Sequence, residues 1–283
     1  MNTSFDALRR PCLCVALVLS AGLMACGGGN GGDSGSTALP SADTNTSTTN
    51  TNTNTNTNNT STATNTPTSN LTSASLQGRW LTDSSAATAY TVIALPNNAS
   101  TSSTQAWALA QDGSGLAQLV IDNNSQVQGA LYSLKSNASV AITGTVSLNA
   151  SVTPKTLSLP GLSTANTVLT QSDALSGRAV LADIVGSWKG AVSDGTKTVT
   201  WTVSASTGEL AGTSSTGCVY SGLLTPVDNL KVFTTVFSES CSDGSSAGYA
   251  GISTVSPDGT RLSTVAVANS RLGSQAIALL LSR

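Results

Sequence analysis

Apolar and polar residues alternate with a period of two along several short stretches of this chain. The clearest stretch is 197–204, where Val199, Trp201 and Val203 alternate with threonine and serine. This period places one set of side chains on each face of a β-strand, so that one face is buried and the other is wet, as in antiparallel sheets. The same pattern predicts strands at 126–134, 139–148, 218–225, 230–238, 247–255, 261–268 and 276–281.

Turn residues separate these stretches, and no long helical periodicity interrupts them. Asp-Gly pairs begin at Asp112, Asp194, Asp243 and Asp258. Asp-Gly between alternating runs is a strong hairpin signal. The pattern therefore predicts an all-β fold of antiparallel modules, each a small barrel or a sandwich.

A coarse internal repeat indicates two such modules in tandem. Gly78-Arg79-Trp80 opens the first, and Gly186-Ser187-Trp188 opens the second 108 positions later. We predict a first β-module over 76–172, a junction with a short helix over 173–185, and a second module over 186–283. The second has room for eight strands, which suits a small up-and-down barrel that leaves no exposed edge.

The N-terminal segment has a different character. Arg9 and Arg10 precede an apolar run over 12–25. At about 14 residues this run is shorter than the roughly 20 that a membrane-spanning helix needs. It fits a cleaved signal peptide over 1–25.

The end of that run, Leu23-Met24-Ala25-Cys26, resembles a bacterial lipoprotein signal. The resemblance implies that Cys26 becomes the first residue of the mature protein and carries a diacylglyceryl group and an N-acyl chain such as palmitate. Several acyl chains together anchor a protein stably in a bilayer. Gly27, and not an aspartate, follows the cysteine, which resembles the pattern of lipoproteins sorted to the outer membrane.

The segment 26–75 is predicted to be a disordered linker after the lipidated cysteine. It begins with glycines and continues as a Thr/Asn/Ser tract with almost no apolar residues. Without apolar surface to bury, nothing offsets the conformational entropy that such a segment would lose on becoming ordered. A flexible coil of about 49 residues spans roughly 38 Å on average, enough to lift a folded domain off the lipid headgroups.

Two of the five cysteines, Cys218 and Cys241, remain in the folded part. In an exported protein an even pair favours a disulfide bond. They lie at the two ends of a predicted hairpin in which residues whose numbers sum to 459 face each other. A redox-active or metal-binding pair is the alternative, but the spacing is not C-x-x-C and histidine support is lacking.

The composition excludes several kinds of chemistry. The chain has no histidine, and only 9% of its residues are charged. Histidine-based catalysis and histidine metal sites are therefore absent, and without a basic patch nucleic-acid binding is disfavoured. Gly244-Ser245-Ser246-Ala247-Gly248 matches G-x-S-x-G, but a turn explains it better than a nucleophile elbow does. The tryptophans could form a sugar-binding platform if exposed, although the alternation places Trp201 in a core.

The layout resembles proteobacterial outer-membrane lipoproteins of unknown function, which have a Thr/Ser linker and two β-modules. The residues that carry this likeness are Gly186-Ser187-Trp188, Cys218 and Cys241. Gly-x-Trp on a first strand also looks like lipocalin-type barrels. That likeness implies an arginine near the last strand covering the tryptophan, and Arg283 is the candidate.

We therefore expect a non-enzymatic lipoprotein without cofactor or metal. Its β-modules would act in binding, adhesion or envelope structure at the outer membrane. Its partners would be the bilayer, through Cys26, and an envelope protein or glycan. The alternative is a carrier of a small apolar ligand with a lipocalin-like cavity.

Overall fold

The computed structural model describes residues 71–83, 85–97, 102–136, 138–268 and 275–283. The predicted leader, Cys26 and nearly all of the predicted linker lie outside these residues. Within them, no helix has the length and apolar character needed to cross a membrane.

Residues 71–75, which the sequence analysis assigned to the linker, belong to the fold. A one-turn helix, α1, spans Ser73–Leu76. Thr72 and Ser75 form a reciprocal capping box at its start, which satisfies two backbone N–H groups. Leu71 and Leu76 are both buried in the first core. The linker prediction missed this turn because its serines and threonines match the tract before it.

The remainder is almost entirely β-structure, which confirms the predicted fold class of two antiparallel, barrel-like modules. In the described residues, seventeen strands follow α1. They are β1 Gly78–Thr82, β2 Tyr90–Pro96, β3 Ser103–Ala110, β4 Gly115–Asp122, β5 Gln126–Ser133, β6 Ser139–Thr145, β7 Ser147–Asn149, β8 Thr156–Leu159, β9 Thr167–Ser172, β10 Gly186–Val192, β11 Thr198–Val203, β12 Glu209–Ser214, β13 Val219–Pro226, β14 Phe233–Ser240, β15 Ser246–Val255, β16 Arg261–Ala268 and β17 Gln275–Ser282.

The first sheet, hereafter barrel one, has nine strands in the order β6-β5-β4-β3-β2-β1-β9-β8-β7. Its two terminal strands, β6 and β7, are separated only by Val146. One bent strand thus joins the two ends of the sheet, and counted this way barrel one has eight strands. The pairing of β1 with β9, in which Trp80 faces Gln171, brings the start and end of the module together.

The second sheet, barrel two, is a closed barrel of eight strands, β10 to β17, in sequence order. It closes through β10 and β17, with Val192 facing Leu279. Full closure pairs every strand edge, so no edge is left open for another chain.

The hairpin register in barrel two is the predicted one. Val219 faces Ser240 and Leu223 faces Val236, and each pair of numbers sums to 459. The strands themselves are shifted by one to three residues from the predicted bounds. Leu230 in particular lies outside β14 and forms an isolated bridge with Ser176.

The predicted helix over the junction is wrong. Two separate 3₁₀ turns, Asp173–Leu175 and Leu181–Asp183, take its place. Between them Gly177 has a φ of +100°, which an α-helix cannot accommodate, and Ser176 bridges to Leu230. Pairing with barrel two thus replaces local helix formation.

Apolar side chains form three cores, and the third joins the barrels. One core fills each barrel. The third lies between the outer face of β2 to β5, which contributes Ile93 and Trp107, and the outer face of β15 to β17, which contributes Ile252 and Val265. Both sheets belong to one compact unit. The barrels therefore pack side by side as one body.

Candidate functional site

The two Gly-x-Trp motifs build the same corner in both barrels. Trp80 Nε1 donates to the carbonyl of Leu76 at 2.8 Å, and Trp188 Nε1 donates to the carbonyl of Ile184 at 2.7 Å. In each case the acceptor lies four residues earlier, at the end of a helical turn. Gly78 and Gly186 have φ values of +141° and +114°, where a side chain would be strained. The motif therefore fixes how the chain enters the first strand of each barrel.

Arg283 covers the corner of barrel two, as the lipocalin likeness implies. Its guanidinium carbon lies 4.4 Å from the centre of the Trp188 ring. The same group donates to the carbonyls of Asp183, Val185 and Gly259. Arg283 thus connects the end of β17 to the turn before β10, which is a structural role.

Cys218 and Cys241 form the predicted disulfide bond, with S–S 2.01 Å and Cα atoms 3.9 Å apart. Both are adjacent to the paired ends of β13 and β14, where the register of the hairpin places them. Glu239 is the third member of the one cluster of potential metal ligands among the described residues. Because both sulfur atoms are in the disulfide, they offer no thiolate ligand.

Glu239 is a buried carboxylate inside barrel two, and two side chains pair with its Oε1. It forms an ion pair with Lys197, and the Tyr220 hydroxyl donates to its Oε1 at 2.6 Å. A buried charge is tolerated when it is paired and hydrogen-bonded in this way. A second buried network runs from Thr235 through Ser253 to Thr264, with hydroxyl oxygens 2.6 and 2.7 Å apart.

Two tyrosines next to Glu239 titrate above the usual range. Burial, together with the charge and hydrogen bond of Glu239, raises the pKa of Tyr249 to about 12. The same causes raise the pKa of Tyr220 still further. Both effects favour the neutral phenol at physiological pH, so these groups are poor proton donors in catalysis.

Five exposed aspartates serve turns. Asp83, Asp112, Asp194, Asp243 and Asp258 each accept a hydrogen bond from the backbone N–H two residues later. In the G-x-S-x-G match, the central serine is Ser246, which is the first residue of β15 and pairs with Ser240. Ser245 before it donates to Asp243 in the β14–β15 turn. The match therefore lies at a turn between two strands and not at the strand-to-helix turn of a nucleophile elbow.

The barrels hold their aromatic side chains inside. Trp80, Trp188, Trp201, Phe233 and Phe237 are among the largest fully buried side chains. Trp107 is only 2% exposed, in the core between the barrels. The predicted core position of Trp201 is confirmed. An exposed tryptophan platform for sugars is not present.

A cleft of about 310 Å³ lies where the two barrels meet. Trp107 and Leu109 of β3 line it from barrel one, and Ile252 and Val265 line it from barrel two. The junction contributes Leu175. The volume is at the lower end of the range for small-molecule sites.

Two arginines, Arg79 and Arg261, line this otherwise largely apolar cleft, and none of its lining residues is acidic. Arg79 is half-buried on β1, and Arg261 is exposed at the start of β16. Trp107 also lines the cleft, but its Nε1 atom is itself buried. The cleft therefore combines positive charge with an apolar surface.

Sequence reasoning did not find this cleft. Its residues come from β1, β3, β15 and β16, which are far apart in sequence. A signal was nevertheless present, because the apolar run Val92–Leu95 in β2 and the run at 265–268 in β16 do not alternate. Continuous apolar strands indicate burial on both faces, and therefore a second layer over the barrel wall.

Comparison with models of known protein families found no match to this chain, and comparison with curated proteins found no similar sequence.

Proposed function

We propose that this chain is a lipid-anchored envelope protein that presents its two joined barrels as a rigid, non-catalytic binding unit. The observation that carries the proposal is that the barrels are packed solid and joined through their outer faces. Fully buried Trp80, Trp188 and Trp201 occupy the interiors, so binding would use the outer surface and the cleft. The partner would be an envelope protein or a glycan.

The anchoring part rests on the sequence. Leu23-Met24-Ala25-Cys26 supplies the lipidation signal, and the Thr/Asn/Ser tract supplies a leash. With acyl chains on Cys26, the leash would hold the barrels at the outer membrane. The absence of histidine and the engagement of the described aspartates in turns support a role without catalysis.

Metabolic labelling with radioactive palmitate tests the anchor. The wild-type chain should incorporate label and fractionate with outer membranes. Cys26→Ala should abolish both, whereas Cys14→Ala, a matched cysteine change in the predicted leader, should retain both. An unlabelled wild-type chain, or a Cys26→Ala chain that stays in the membrane fraction, would contradict the anchoring proposal.

Cross-linking and pull-down from intact envelopes test the presenting role, with protease accessibility measured alongside. A specific partner recovered with the wild-type chain should disappear after substitutions on the outer surface of the barrels. It should persist after changes confined to a barrel interior, such as Tyr249→Phe. Recovery that depends only on interior changes would contradict binding at the outer surface.

The alternative is a carrier that holds a small apolar ligand inside one barrel. The Arg283–Trp188 corner favours it, since that arrangement resembles lipocalin-type barrels. The packed aromatic interior of barrel two, where the Trp201 and Phe237 rings lie 5.2 Å apart, weighs against it. A lipid that co-purifies with the wild-type chain, and in a larger amount with Trp201→Ala, would support the carrier.

A further inference from the structure

The cleft between the barrels contains two cations that the fold does not use. In the described residues, neither Arg79 nor Arg261 has an ion pair or a side-chain hydrogen bond. The other described arginines differ. Arg178 pairs with Asp228, and Arg283 donates to three carbonyls. A guanidinium offers a planar fork of donors that fits a carboxylate.

The remaining wall determines what kind of anion would fit. Ile93, Leu109, Ile252 and Val265 supply an apolar surface that an inorganic anion would leave unused. Thr91 and Ser263 add hydroxyl groups. The volume of about 310 Å³ suits a short chain and not a long-chain lipid.

We propose that this cleft binds a small amphiphilic carboxylate: Arg79 and Arg261 bind the carboxylate group, and the apolar wall contacts a short alkyl chain. The proposal goes beyond the presenting role, and it does not depend on lipidation. It concerns a site between the barrels and not a cavity within either one.

Isothermal titration with sodium octanoate tests this proposal, and 1-octanol serves as the uncharged probe of equal chain length. The full chain carrying Cys26→Ala is used, so that no acyl chain of its own can compete. Octanoate should bind saturably with one site per chain, and octanol should bind at least about tenfold more weakly. That factor is about the contribution of one hydrogen bond to a charged group. Added salt should weaken octanoate binding and leave octanol unaffected.

Two substitutions locate the site. Arg79→Met and Arg261→Met should each weaken octanoate binding by about tenfold or more, because each removes a charged donor. Arg178→Met is the matched control and should leave the affinity unchanged. Circular dichroism on every variant identifies any that fails to fold.

Several results would overturn the proposal. One is the absence of saturable binding by folded protein up to about 1 mM octanoate, the weak end of specific affinities. Equal affinities for octanoate and octanol would exclude the role of the arginines. An unchanged affinity in folded Arg79→Met and Arg261→Met would place any binding elsewhere. None of these results bears on whether Cys26 is lipidated.

Discussion

Barrel one and barrel two share a plan but stabilise it differently. Both begin with a helical turn and a Gly-x-Trp corner in which the tryptophan N–H meets a carbonyl four residues earlier. Both count eight strands when the bent strand of barrel one is counted once. Barrel one is filled by apolar side chains such as Leu119 and Ile142.

Barrel two has four additional features. These are a disulfide bond, a buried Lys197–Glu239 pair, the buried Thr235–Ser253–Thr264 hydroxyl network and the Arg283 cover over Trp188. The corner is thus the shared requirement for starting the barrel, and the other devices are specific to the second copy. The same strand arrangement can therefore be stabilised mainly by apolar packing, as in barrel one, or with added cross-links and paired charges, as in barrel two.

The largest expected effect comes from the shared corner. Trp80→Ala and Trp188→Ala should each lower the free energy of unfolding by about 3–5 kcal/mol, the usual cost of truncating a buried tryptophan. Denaturant titration followed by circular dichroism measures this. Because the core between the barrels joins them, each variant should show one transition. A change that melts only its own barrel would show that the two fold independently.

The disulfide should have the next largest effect, and it acts on barrel two. Cys218→Ser together with Cys241→Ser opens a loop with a sequence separation of 23 residues. The chain-entropy model predicts a loss of about 3 kcal/mol. Unfolding of the wild-type chain with and without reductant should reproduce the loss, and the double variant should be insensitive to reductant. If unfolding of the double variant still depended on reductant, the effect of reductant would not come from this disulfide.

The Arg283 cover should contribute less. Arg283→Met removes the contact over the Trp188 ring and three hydrogen bonds to carbonyls. On an exposed residue these should amount to about 1–2 kcal/mol of unfolding free energy. Arg178→Met, which removes an exposed pair, is the matched control and should change stability by less than about 1 kcal/mol. If Arg283→Met and Arg178→Met lost the same unfolding free energy, the contact of Arg283 with Trp188 would have no specific stabilising role.

The smallest effect concerns alkaline pH. Burial and Glu239 raise the pKa of Tyr249 to about 12, above its ordinary value of 10.0. A group whose folded-state pKa is raised stabilises the fold below the unfolded pKa. That stabilisation should therefore be full below pH 10 and be lost as the pH rises towards 12.

An NMR titration of protein labelled with ¹³C at the tyrosine Cζ atoms reports the pKa of each tyrosine separately. Glu239→Gln removes the nearby charge and should lower the apparent tyrosine pKa in barrel two. Tyr90 of barrel one has its pKa raised chiefly by burial, and its titration should not change. An unaltered curve for Tyr249 in Glu239→Gln would mean that burial alone sets its value.

Features that depend on near neighbours in sequence could be predicted closely. The register that pairs Leu223 with Val236 follows from alternation and a turn near Asp228. The aspartate turns follow from the residue and its next two neighbours. The predicted junction helix was wrong because contacts with Leu230, more than fifty positions away, override local propensity. The buried Leu71 was missed because the turn that follows it resembles the linker in composition.

The sequence by itself determined the strand period, the tandem Gly-x-Trp modules, the cysteine pairing and the exclusion of histidine chemistry. These depend on residue identity and on spacing along the chain. Only the tertiary structure decided that the barrels pack through their outer faces. Likewise, only the fold brings Arg79, Trp107 and Arg261 to one cleft. The physical reason is that two barrels pack together only where their outer faces match in shape and are both apolar. This match involves residues that are far apart in sequence, so no local pattern specifies it.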